Sequence, residues 1–227
     1  MTSLKRKSSL MTKANNTKMS RNMRLKWSFG ILIIGALVNL SDSTIVNSQQ
    51  KLERVDTPPK ATYEIVSPPN CLNYKDEKVR FINTTKGRPG VAAGMANKDK
   101  TGAPVVYRSN YGAAPQTFQR FIDRHECAHH QTGDVDRPHP PRNGPEHLMN
   151  ESIADCIAIM RLRDEEHYDK AGFDGVAKAM RHDMEKIGFP EISVSSRISN
   201  ISNCYKKYDS AESFINKVLK RRGLLQQ

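Results

Sequence analysis

Residues 116–131 read Gln-Thr-Phe-Gln-Arg-Phe-Ile-Asp-Arg-His-Glu-Cys-Ala-His-His-Gln, and the rest of the chain is best understood outward from them. Phe118, Phe121, Ile122, His125 and His129 recur every three or four positions, so they share one stripe of an α-helix from Gln116 to Gln131. His125 and His129 differ by about 40° around that helix and lie one turn apart, so both imidazoles can reach one ion. Zinc takes neutral imidazoles from a rigid support of this kind. Glu126 lies about 100° from His125 and about 60° from His129. It flanks the shared point without facing it, where a general base for a metal-activated water belongs.

The segment Gly133–Pro145 contains Pro138, Pro140, Pro141 and Pro145 and cannot be helical throughout. A second helix is expected over 146–163. Two imidazoles leave a catalytic zinc ion one protein ligand short, and Glu151-Ser152-Ile153-Ala154-Asp155 supplies acids four positions apart on one face. Glu151 is the candidate third ligand. Asp155, one turn on, can accept the second ring N–H of a ligating histidine and fix its tautomer. Ala154 and Ala158 permit close packing on the histidine helix. A third apolar stripe, Phe173, Val176, Ala177, Met180, Met184 and Ile187, stops at Gly188 and Pro190. Its methionines fit core packing. Weaker helices follow over Val194–Tyr208 and after a cap-like Asp209-x-x-Glu212. Upstream, Val79–Ile82 and Pro104–Tyr107 are β-type runs separated by Gly-containing turns. The fold class is therefore α+β, a small N-terminal sheet packed on a helical core.

The His-Glu-x-x-His of 125–129 and the Glu-x-x-Ala-Asp of 151–155 resemble the gluzincin-type zinc metallopeptidases. The longer forms, His-Glu-x-x-His-His and Glu-x-x-Ala-Asp-Cys, resemble the small exported neutral zinc metallopeptidases of bacteria. The resemblance covers about Pro104 to Met160. It implies a zincin-like helical core, one Zn2+ per chain on His125, His129 and Glu151, Glu126 as catalytic base and Asp155 as the acid behind a ligand. It also implies that the strand near Val105-Val106-Tyr107 lines the cleft and pairs with an extended peptide substrate. No downstream residue matches the family's oxyanion-stabilising position; His182, Arg197 and Tyr205 are candidates by type alone.

Cys71, Cys127, Cys156 and Cys204 permit two disulfides in three connectivities. Cys127 lies about 200° round the helix from His125 and cannot share its metal. The favoured pairs are Cys127–Cys156, tying the two metal-bearing helices, and Cys71–Cys204, tying the ends of the domain. His130 belongs on the helix flank, behind the site or at the surface, while His139 and His147 read as solvated. Asp164-Glu165-Glu166-His167 reads as an exposed charged face.

Residues 1–48 carry eight Lys/Arg and one acid, so +7 of the net +12 resides there. The remaining residues are only mildly basic, which argues against a dedicated nucleic-acid binder. Trp27–Leu40 is almost uncharged, yet its fourteen residues would span only about 21 Å as a helix, short of the roughly 30 Å hydrocarbon core. It fits a signal-peptide core with Ser41–Thr44 as the cleavage region, or an uncleaved signal anchor. Translation from Met19 or Met23 would give a more typical leader. The organisation is thus a leader over 1–48, a Pro-containing linker or irregular edge over 49–70 and a domain over 71–227, periplasmic or secreted, with membrane anchoring through 27–40 as the variant. The expected activity is zinc-dependent hydrolysis of peptides or proteins. The rival readings are an exported zinc-binding module without turnover and a membrane-anchored interaction protein.

Overall fold

Short runs of extended chain pair into a three-stranded sheet before the 3.6-residue periodicity takes over and builds five helices. The computed structural model describes residues 62–225. Its order is β1 (Arg80–Thr84), β2 (Ala93–Lys98), β3 (Pro104–Ser109), α1 (Gln116–Gln131), α2 (Pro145–Glu165), α3 (Lys170–Ile187), α4 (Glu191–Lys207) and α5 (Ala211–Arg221). This is the expected α+β arrangement. The leader, the apolar run 27–40 and the linker as far as residue 61 lie outside the described residues. Among those described, no helix is long and apolar enough to cross a membrane.

β3 is the central strand, parallel to β1 (Phe81 opposite Val106) and antiparallel to β2 (Met95 opposite Tyr107). β1 and β3 lie close to the expected β-type runs. β2 is a strand the sequence reading did not find: Ala-Gly-Met-Ala-Asn-Lys has no β-branched or aromatic residue, and only its pairing with β3 makes it extended. Residues 62–70 form no regular element but are docked. Tyr63 N–H donates to Gly112 O, Val66 N–H donates to Gln119 Oε1, and Val66 O accepts from Arg108.

The core is where the helical stripes meet. Phe118, Phe121 and Ile122 of α1 pack with Ile159 and Met160 of α2, with Met180 and Met184 of α3, and with Val194 and Ile201 of α4. A second cluster joins Ala128 of α1 and Ala154 and Ile157 of α2 to Ile215 and Leu219 of α5. The end signals act where they stand: Asp169 accepts Gly172 N–H at the start of α3, and Gly188 closes it at φ 89°. At α5 the cap is Ser210, which accepts Ser213 N–H, and not Asp209.

The disulfides correct the expected pairing. Cys71 is bonded to Cys127 and Cys156 to Cys204, with Cα–Cα separations of 6.0 and 5.3 Å. Cys127 lies on the side of α1 away from the His125 face, against Val79 and Val106 of the sheet region, so it cannot reach α2. Cys156 faces α4, where Asn200 Nδ2 also donates to Ser152 O. One bridge therefore ties the N-terminal segment to α1 and the other ties α2 to α4. Two disulfides suit an oxidising compartment outside the cytoplasm.

Candidate metal centre

α1 presents His125 and His129 toward α2, and α2 answers with Glu151. The two Nε2 atoms are 3.2 Å apart. Glu151 Oε2 lies 3.4 Å from His125 Nε2, and Oε1 lies 3.5 Å from His129 Nε2. These three residues form a group that can hold a metal ion.

The far side of each ring shows why the group could hold a cation. His125 Nδ1 sits 2.9 Å from Asp155 Oδ1, and His129 Nδ1 sits 3.0 Å from Asp134 Oδ2. An ionised carboxylate only accepts, so each Nδ1 carries the ring proton and each Nε2 is left with its lone pair. Two lone pairs and a carboxylate then converge on one point, where a positive ion relieves their repulsion. Without a metal ion, protons meet the same demand. Burial lowers the His125 pKa, but Asp155 and Glu151 outweigh it and push it up to about 10. His129 follows the same pattern: burial lowers it, and Asp134 and Glu151 carry it to about 9. Glu151 is raised by burial yet held far below the usual carboxylate range by the two imidazoles.

Asp155 is fully buried and takes both a hydrogen bond from Arg197 Nη2 to Oδ1 (2.6 Å) and one from Nε to Oδ2 (2.8 Å). His125, Asp155 and Arg197 thus form a chain from α1 through α2 to α4. Asp155 stands against the His125 ring, where the sequence reading expected it, and that reading missed Asp134, its counterpart for His129. Asp134 stands in a short helical turn after Gly133, and only the path of that turn brings it under the ring.

Glu126 accepts the Ala96 N–H at 2.7 Å. The backbone of β2 crosses directly over its side chain: a Cβ at Gly94 would lie 2.3 Å from Glu126 Cγ and 2.8 Å from Ile122 Cγ2. The absence of a side chain at Gly94 is what lets the strand and Glu126 coexist. Here the expectation for the cleft strand is corrected. β3, which contains Val105–Tyr107, has both edges occupied by β1 and β2 and cannot accept another strand. Among the described residues β2 has the open edge, and it lines the cleft.

Gly94 and Ala96, the loop residues Asp134 and His139, and His147 and Glu151 of α2 enclose a cavity of about 260 Å³ above the triad. His139 is exposed, as expected, while His147 is half-buried and also lines a neighbouring cavity of about 750 Å³ with Leu148, Phe189 and Ile192. His130 is buried, with Nε2 3.0 Å from Val105 O, so it joins α1 to β3 rather than lying at the surface. Of the three oxyanion candidates, Tyr205 is committed to Tyr168 O and His182 is exposed on α3. Arg197 alone approaches the site, its Nη2 3.9 Å from Glu151 Oε2. No protein-family model, curated protein or solved structure matches this chain.

Proposed function

We propose that the protein is a zinc-dependent metallopeptidase, exported through its basic and apolar leader, that hydrolyses peptide bonds with a water activated at the His125–His129–Glu151 centre. The observation that carries this reading is the convergence of His125 Nε2, His129 Nε2 and the Glu151 carboxylate while Glu126 stands beside them, paired with no cation among the described residues and steadied by one backbone N–H. Two nitrogen ligands and one oxygen ligand suit zinc and leave a position for water or substrate. When bound, the ion would polarise the scissile carbonyl and make water acidic enough to be a nucleophile near neutral pH.

The chain's own groups do the rest. Glu126 takes a proton from the attacking water on a carboxylate oxygen and delivers it to the departing amine nitrogen, as general base and then general acid. Ala96 N–H, bonded to Oε2, fixes the carboxylate's orientation during both transfers. The open edge of β2 offers main-chain donors and acceptors to an extended peptide laid alongside it. Asp155 and Asp134 keep both rings in the tautomer that leaves Nε2 free.

Glu126→Gln tests the assignment, because it preserves size and removes basicity. Zinc should stay bound, and hydrolysis of a peptide library should fall by about 10²–10⁴-fold. Tight zinc binding by the wild-type chain with no Glu126-dependent cleavage would instead identify a binding module without turnover.

A further inference from the structure

We propose that Arg222, just past the end of α5, is a positioning residue for the metal centre, so that metal affinity depends on its guanidinium. The inference rests on the metal-site reading above. Asp134 uses Oδ2 to face His129 Nδ1, and its other oxygen, Oδ1, forms an ion pair with Arg222 Nη1 at 2.6 Å. Both side chains are buried, 9 and 8% exposed. The same Nη1 donates to Thr132 O at 2.6 Å, at the C-terminal end of α1. Nη2 donates to Asn150 Oδ1 at 2.8 Å, one residue before Glu151 on α2.

One guanidinium therefore touches the turn that orients His129, the end of the helix that carries both imidazoles, and the helix that carries the carboxylate ligand. A planar fork can make these contacts at once; a single ammonium cannot. A cap for α1 would need only the bond to Thr132 O. The pairing with Asp134, whose opposite oxygen faces a ligand ring, extends the contact to the metal site. The arrangement parallels His125–Asp155–Arg197 on the other imidazole, with α5 in place of α4, except that Arg197 hydrogen-bonds both Asp155 oxygens while Arg222 meets Asp134 Oδ1 as an ion pair without a hydrogen bond. α5 is held in range because Ile215 and Leu219 pack against Ala128 and Ala154, the small neighbours of His129 and Asp155. Among the described residues, Asp134 without Arg222 keeps only Thr132 Oγ1, at 3.1 Å, and the ring itself as side-chain partners.

The test is zinc affinity of the full chain, measured by competition with a chelating dye, alongside thermal stability of the metal-free protein. Arg222→Ala should weaken zinc binding about tenfold, the lower end of the range for residues behind a ligand. Ile215→Ala, which trims the packing of α5 while Leu219 still holds the helix in range and the guanidinium stays in place, should cost stability with a change in zinc affinity within about twofold. In an Asp134→Ala background the Arg222 substitution should add little further loss, since the path through Asp134 is already cut. If Arg222→Ala fails to fold, Arg222→Lys serves, with affinity expected between wild type and the tenfold loss. Unchanged affinity in the Arg222 variants, or an equal loss in Ile215→Ala, overturns the proposal and leaves Arg222 a helix anchor. A wild-type chain that binds no zinc overturns the metal reading itself, and the inference with it.

Discussion

The two walls of the cleft are built on different principles. The helical wall, α1 and α2, works through side chains: His125, His129 and Glu151 converge and Glu126 flanks them. The sheet wall, β2, works through its backbone and through what it lacks, an N–H from Ala96 on Glu126 and no side chain at Gly94. A helical wall of this kind announces itself in residue types at fixed spacing. A backbone wall does not, because any residues small enough to let the strand approach would serve.

Substitutions on the two walls should therefore fail differently. The largest effect belongs to the helical wall: Glu151→Gln removes the anionic ligand, and both metal content and hydrolysis should collapse together, read by elemental analysis and peptide cleavage. On the sheet wall, Gly94→Ala puts a methyl group 2.3 Å from Glu126 Cγ and so must displace strand or base. Cleavage should drop about 100-fold, the lower end of the general-base range, while zinc stays bound. Loss of zinc in that variant would mean the walls are not separable. Asp155→Asn weakens the support of one ligand only, and both affinity and activity should fall by about 10–100-fold.

The smallest effect is one of pH. In the metal-free protein the pKa values of His125 and His129 are raised from the ordinary 6.5 to about 10 and about 9. Raised histidines stabilise the fold fully below about pH 6.5 and lose that contribution as pH climbs through their folded values. The melting temperature of metal-free protein should thus fall between about pH 7 and 10. Zinc-loaded protein, whose ligands are already deprotonated, should lack that fall. Identical pH profiles for the two forms would contradict the site as drawn.

How much was legible follows the same division. α1 spans the stretch its apolar stripe marks, and α2 brings Glu151 and Asp155 to the imidazoles because their four-residue spacing is intrinsic to a helix. Of the cysteine pairing, helical angles carried one step further exclude only Cys127–Cys156, which still leaves two connectivities. If His125 faces α2, then Cys127, about 200° away, faces elsewhere, and Cys156, about 140° round from Glu151, turns from α1 as well. Asp134, Arg222 and β2 were out of reach for another reason: a turn, a helix end and a weak strand acquire their positions from tertiary packing, which leaves no period in the sequence.

The claim on which the rest depends is that the folded chain holds one metal ion on His125, His129 and Glu151. Full-length protein produced with ample zinc, freed of loosely bound metal and analysed for zinc per folded chain, tests it most directly. The account predicts one zinc per chain, lost in His129→Ala. A folded, disulfide-bonded wild-type protein that contains no zinc and takes none up would contradict it.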